Sequence, residues 1–237
     1  MSSITWTASA VASELRPFKA EVWRAVEAQH EISTLKLCDT VSDQWLLEDI
    51  LEESKPALPP ETKHLDYLMF SPFRYVGIPY GSRFRSPGGK GVFYAGESQR
   101  VACAELGYWR QKFLKDSEGL SFLPEKAHTI FSVKIAARTV DLTSTPFDRD
   151  RAVWTDREDY RPTQMFAETA REAGAEAITY ESVRDPEKGL NTALLEPSGF
   201  SSTKPVKKET WHLIVYPEEV YWHRDKTRRY VFRYPPK

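Results

Sequence analysis

An α+β fold is the class this sequence predicts, on three observations. Short runs of β-branched and aromatic residues recur along the chain, each bounded by turn residues. Several longer stretches instead repeat their apolar residues at helical spacing. A proline-rich break, Pro56-Ala57-Leu58-Pro59-Pro60, separates a helical-looking first quarter from the mixed remainder.

Taken in order, residues 8 to about 53 read as helical. Val22, Val26 and the Ala25/Ala28 pair recur near helical spacing, and Trp45, Leu46, Leu47, Ile50 and Leu51 repeat the pattern. After the break, Leu68-Met69-Phe70 and Gly91-Val92-Phe93-Tyr94 read as short strands around a turn-rich loop, residues 78–90. Residues 98–114 return to helix, with Ser98 as N-cap and Ala102, Leu106 and Trp109 on one face. Strands are expected at 129–133 and 139–142, and a helix at 163–173 that ends at Gly174. The segments 177–180, 192–195, 211–215, 220–222 and 230–232 complete a set of short, mostly antiparallel strands.

Composition narrows the function classes. The chain has 237 residues, 41% of them hydrophobic, and seven tryptophans, enough for a real core. Its formal net charge of −1 gives no global field that would draw it to nucleic acid or to an anionic membrane. No apolar run reaches the roughly 20 residues a membrane span needs, and the first residues do not read as a signal peptide. Two distant cysteines, Cys38 and Cys103, make neither a disulfide framework nor a metal-ligand spacing. The expectation is a cytoplasmic protein that binds no nucleic acid directly and uses no metal.

Familiar motifs fail. Gly89-Lys90 lacks the glycine five positions earlier that a phosphate loop requires, where Phe84 stands, and lacks the Ser or Thr after the lysine. The dinucleotide fingerprint fails because Tyr94 occupies its last glycine position. His30, His64, His128, His212 and His223 show no metal spacing. The basic cluster Arg224, Lys226, Arg228, Arg229 and Arg233 reads as protection of a sheet edge.

One constellation remains. Arg83-Phe84-Arg85-Ser86-Pro87-Gly88 places arginines on a loop, Tyr94 ends a strand, and Glu105 sits among Val101, Ala102, Cys103, Ala104 and Leu106. A carboxylate in such a stretch is costly unless it is paired or used, and an ion pair with a core arginine is the structural alternative. Later, Tyr180-Glu181-Ser182-Val183-Arg184 leaves a strand, and Asn191 begins the next.

In this order the segments resemble the RES domain, a family named for its Arg, Glu and Ser. The resemblance covers roughly residues 70–195. It puts Arg83, Tyr94, Glu105 and Ser182 at the catalytic positions. Arg83, Arg85, Tyr94, Ser182 and Asn191 are the candidates for binding NAD⁺, with Arg83 favoured over Arg85 as the functional arginine. What the resemblance implies is an ADP-ribosyltransferase-like core and a toxin that cleaves the nicotinamide–ribose bond of NAD⁺ as a glycohydrolase or phosphorylase. NAD⁺ is then a substrate, and a helix-turn-helix-type antitoxin is the implied partner. Transfer of ADP-ribose to a protein and a non-catalytic binding module are the alternatives. On this division residues 65–237 form the catalytic domain. Residues 1–64 form a helical extension that packs against it as a structural arm and adds no catalytic group; a homodimer or antitoxin interface is the alternative for that segment.

Overall fold

A computed structural model of the protein describes residues 6–28 and 38–234. His30, Leu35 and Leu37 lie outside them. The elements run α1 (Ala8–Ser13), β1 (Arg16–Glu27), α2 (Val41–Ser54), α3 (Tyr67–Arg74), β2 (Phe93–Gly96), α4 (Gln99–Asp116), β3 (Leu123–Asp141), α5 (Arg151–Trp154), α6 (Arg161–Glu172), β4 (Ala177–Glu181), β5 (Leu190–Leu194), β6 (Lys207–Val215), β7 (Val220–His223) and β8 (Arg229–Phe232). The α+β expectation holds.

The long strand β3 organises the sheet. Along one edge β1 pairs with it antiparallel, from Arg16 opposite Thr139 to Glu27 opposite His128. Along the other edge lie β6, antiparallel, and β4, parallel at Thr139–Asp141. β4 pairs with β5, β5 with β2, and β2 returns to β1 where Gly96 faces Trp23. The pairs β1–β2–β5–β4–β3 therefore close a circuit, and β6–β7–β8 extend beyond it.

The structure corrects the sequence reading in three places. Residues 16–27 are strand, not helix: Val22 is buried while Trp23, Arg24, Ala25, Val26 and Glu27 are all half-buried. A strand flanked on both faces loses the in–out alternation that would mark it, so its apolar residues mimic helical spacing. Leu68-Met69-Phe70 belong to α3, which Asp66 caps by accepting from the Leu68 amide at 2.9 Å. The strands expected at 129–133 and 139–142 are one strand, β3. The remaining expectations stand within a few residues: Ser98 caps α4, and Gly174 follows α6 with a positive φ of 81°.

The extension likewise differs from a packed helical arm. β1 is a strand of the central sheet, and Trp6 packs on Phe147 with ring centroids 4.5 Å apart. In α2, however, Trp45 is 69% exposed, and Leu46, Ile50 and Leu51 are also exposed.

Three apolar clusters fix the layers. α6 packs Phe166, Ala167 and Ala170 against Phe84, Val140, Phe147, Trp154 and Ile178. α3 contributes Met69 and Phe73 to a cluster with Val22, Phe93, Phe131 and Leu194. α4 buries Cys103, Ala104 and Leu114 against Trp211, Leu213, Val220 and Trp222 of β6 and β7. This last contact sets the rotation of α4, and with it the direction in which Glu105 points.

Candidate active site

The residue at the centre of the site is Glu105, in the second turn of α4. Its Oε1 accepts a hydrogen bond from the Ser182 hydroxyl at 2.6 Å and another from the Asn191 side-chain amide at 2.6 Å. Among the described residues no bond reaches Oε2 and no ion pair reaches Glu105, so the expected alternative of a core salt bridge is absent. The carboxylate is thus clamped by one oxygen and left open at the other.

The clamp is itself fixed. Ser182 is 1% exposed, and its oxygen accepts from the backbone amides of Asp185 at 3.0 Å and Arg184 at 3.3 Å. With both incoming donors placed, its proton is committed to Glu105. Asp185 is buried and takes two bonds from Arg100, at 2.6 and 2.5 Å, which holds the turn after β4. Such a paired, bidentate arrangement is what a buried carboxylate requires. Asn191, the second residue of β5, lies opposite Tyr180 on one side and Gly96 on the other.

Gly96 lets the helix approach. A side-chain carbon there would stand 2.8 Å from the Val101 side chain and 3.0 Å from the Ala102 amide. Only glycine leaves room for α4 to lie this close to β2.

Glu105 lines a cavity of about 290 Å³, at the small end of the range for small-molecule sites. Arg24, Arg83 and Arg184 bring positive charge to the same wall, and Trp23, Tyr94, Trp109, Tyr160 and Tyr180 bring aromatic surface. One carboxylate faces three guanidinium groups in a chain that is nearly neutral overall.

Each arginine is held. Arg83 donates to the carbonyls of Trp154 and Asp156, both at 2.8 Å, and lies 4.6 Å from the Tyr160 ring centre. Arg184 donates to the Arg157 carbonyl and the Tyr160 hydroxyl and stacks 3.8 Å from the Tyr108 ring centre. Arg24 donates to the Tyr94 carbonyl at 2.7 Å and lies over Phe93, 5.0 Å from the ring centre. Burial pushes its guanidinium down to about 10.

Tyr94 projects from β2. Its hydroxyl accepts from the Phe84 amide at 2.9 Å and shares a bond of 2.8 Å with the Ser82 hydroxyl. Burial pushes its ionisation up, as it does more strongly for Tyr180, where the nearby Glu105 charge adds to the effect. Both phenols stay neutral donors at ordinary pH.

Of the residues singled out in the sequence, the structure brings Arg83, Tyr94, Glu105 and Asn191 to one cavity. Ser182 stands behind Glu105. Arg85 turns away: it donates to the Tyr80 carbonyl and lines a neighbouring cavity. Arg24, Trp23, Tyr160 and Arg184 were not singled out. Arg24 and Trp23 were hidden by the helical reading of β1, and they place the N-terminal segment in the cavity wall. Among the described residues, no group of three or more His, Cys, Asp or Glu side chains is arranged to hold a metal ion.

This geometry carries a family signature. The RES domain model matches residues 58–215, two thirds of the chain. The chain belongs to the RES domain family. The fold agrees: a chain of the crystal structure of the M. tuberculosis MbcT–MbcA toxin–antitoxin complex is similar, with a TM-score of 0.50. That similarity covers 89% of this chain and 92% of the other at 11% identity, which speaks to fold alone. No curated protein sequence matches the chain. The α+β core expected of a RES domain is the one observed, and β1 is a strand of its sheet.

Proposed function

We propose that this RES domain cleaves the nicotinamide–ribose bond of NAD⁺, and that it acts as the toxin of a toxin–antitoxin pair in the cytoplasm. The observation that carries the proposal is the clamped carboxylate of Glu105, open at Oε2, in a cavity otherwise walled by arginines and aromatic rings.

The chemistry matches the charges. Nicotinamide leaves NAD⁺ as a neutral molecule, so the reaction needs no general acid. The positive charge passes to the ribose, which becomes oxocarbenium-like. A carboxylate already oriented by Ser182 and Asn191 stabilises that charge without reorganising. It also accepts from a ribose hydroxyl and holds the sugar in line. The diphosphate is met by guanidinium charge from Arg24, Arg83 and Arg184. Arg83 in addition anchors the loop that carries Tyr160 into the wall. Tyr94 and Trp109 offer flat faces to a pyridinium ring. Water and phosphate are alternative acceptors after this shared step.

The toxin reading is supported by family membership and by the toxin–antitoxin setting of the similar M. tuberculosis structure. Among the described residues no helix is long and apolar enough to cross a membrane.

Purified protein incubated with NAD⁺ tests the activity, with products identified by mass. Glu105→Gln keeps the shape and the Ser182 bond but removes the charge. Its turnover is expected to fall by about 100-fold, equivalent to roughly 3 kcal/mol in the barrier. Circular dichroism checks the fold. A folded Glu105→Gln protein with turnover near wild type refutes the assignment. Expression of the chain alone is expected to lower cellular NAD⁺ and arrest growth.

A further inference from the structure

The first turn of α6 departs from the usual start of a helix. Tyr160 stands at the N-cap and its side chain makes no capping bond, although Ser, Thr, Asp or Asn is the ordinary choice there. Its ring lies against the Arg83 guanidinium in the cavity wall, and its hydroxyl accepts from Arg184. Three residues on, Thr163 is fully buried. Its hydroxyl lies 2.5 Å from the Arg83 carbonyl and 2.9 Å from the Tyr160 carbonyl and donates between them. Among the described residues no other donor reaches the Arg83 carbonyl. Gln164 follows, and its side-chain amide donates to the Ser82 carbonyl at 2.9 Å. Gly81 makes room for that reach, since a side-chain carbon there would stand 2.6 Å from the Gln164 amide nitrogen.

These bonds join two segments of the wall that are far apart in sequence. Arg83 donates through its guanidinium to the carbonyls of Trp154 and Asp156, while Thr163 holds its own carbonyl. The residue is thus fixed at both ends. A buried hydroxyl is costly unless it is bonded, and one bonded to Arg83 and Tyr160 together sets the spacing between them. Neither Thr163 nor Gln164 is in the lining of the cavity.

We propose that Thr163 and Gln164 are positioning residues for substrate binding, which set the Arg83 loop against Tyr160 and so aim the Arg83 guanidinium at the diphosphate of NAD⁺. This inference rests on the reading of the Glu105 cavity as the site of NAD⁺ cleavage. The diphosphate keeps its charge throughout that reaction, so a guanidinium that meets it holds ground state and transition state alike. Loss of its aim therefore appears in KM and leaves kcat in place. A variant that merely destabilises the fold lowers the fraction of active protein, and with it the apparent kcat, at unchanged KM.

Steady-state kinetics on NAD⁺ test the proposal. Calorimetric titration of NAD⁺ into the same variants made in Glu105→Gln protein gives a readout apart from turnover. Thr163→Val keeps the shape and removes the hydroxyl; KM and the dissociation constant are expected to rise about 10-fold, with kcat within about twofold of wild type. Thr163→Ser restores the hydroxyl and is expected to return both to within about threefold of wild type. Thr169→Val removes a hydroxyl that bonds the Met165 carbonyl on the same helix and is expected to change neither. Should Thr163→Val fail to fold, Gln164→Leu, at a half-buried position, decides the matter through the same rise in KM. Wild-type KM and affinity in folded Thr163→Val, or a loss confined to kcat, overturns the proposal and leaves the NAD⁺ reading standing. A wild-type protein that neither binds nor cleaves NAD⁺ overturns both.

Discussion

At the scale of single residues, the site depends on how one carboxylate is held. Ser182 and Asn191 both act through Oε1 of Glu105, so each is a positioning residue. A hydrogen bond to a charged group contributes about 1.5–3 kcal/mol. Ser182→Ala and Asn191→Ala are therefore expected to lower kcat on NAD⁺ by roughly 10-fold or more each. KM should change much less. Because both act on the same oxygen, the double variant should lose less than the sum of the two. Equal losses in KM and kcat would instead mark Ser182 as a substrate contact. His128 illustrates a residue whose burial serves stability. It is 1% exposed on β3, its Nδ1 lies 2.9 Å from the Lys126 carbonyl, and its Nε2 has no partner. Burial holds its ionisation below the ordinary 6.5, opposed by the Lys126 carbonyl and Glu27 and assisted by Arg110. The folded state thus favours the neutral ring. The stabilisation is complete above about pH 6.5 and is lost as pH falls through the lower folded value. Melting temperatures measured from pH 7.5 to 5 should fall more steeply for wild type than for His128→Gln. Parallel curves would remove His128 as a source of acid sensitivity.

At the scale of elements, α4 is the part most exposed to error in its position. Its approach to β2 is set by Gly96, and its rotation by the Trp211–Trp222 cluster. Gly96→Ala forces a carbon into the Val101 side chain, an overpacking that costs about 1–3 kcal/mol. The expected result is a melting temperature lower by roughly 2–10 °C and a loss of NAD⁺ cleavage larger than that destabilisation alone would give. Val101→Ala in the same chain should restore part of both. No recovery in the double variant would place the fault elsewhere. The helix α4 was legible in the sequence because its caps and period agree: Ser98 begins it and Ala102 and Leu106 share a face. β4 and β5 were legible for the same kind of reason, as short apolar runs between turn residues. β1 was not, because a strand half-buried on both faces carries no two-residue alternation. α3 was misread because Leu68-Met69-Phe70 is too short to show a period and Pro72 lies inside the helix. The Asp66 cap was the signal that distinguished it. Arg83, Tyr94, Glu105 and Asn191 could be grouped from motif order, whereas Arg24 could not. Its place in the wall depends on pairing between segments more than a hundred residues apart.

At the scale of the whole molecule, the closed circuit of strands ties the N-terminal segment to the site. The helical-arm expectation treated residues 1–60 as removable without loss of catalytic groups. With β1 paired along β3 and Trp23 and Arg24 in the cavity wall, deletion of residues 1–60 should instead abolish both folding and NAD⁺ cleavage. Thermal melts and NAD⁺ assays of the truncated chain check this. A soluble fragment with a cooperative transition near the wild-type temperature would contradict it. The same circuit bears on the protein's own synthesis. The cavity draws on Arg24 near the start of the chain and Asn191 four fifths of the way along, and β3, which joins them, comes between. Chains emerge from the ribosome N-terminus first, at roughly 5–20 residues per second. During that time β1 lacks its long partner until residues 128–139 appear, and Glu105 has no clamp until Ser182 and Asn191 follow. A nascent fragment that ends before residue 191 therefore lacks the clamped carboxylate, and the producing cell meets an assembled site only once both Ser182 and Asn191 have been made.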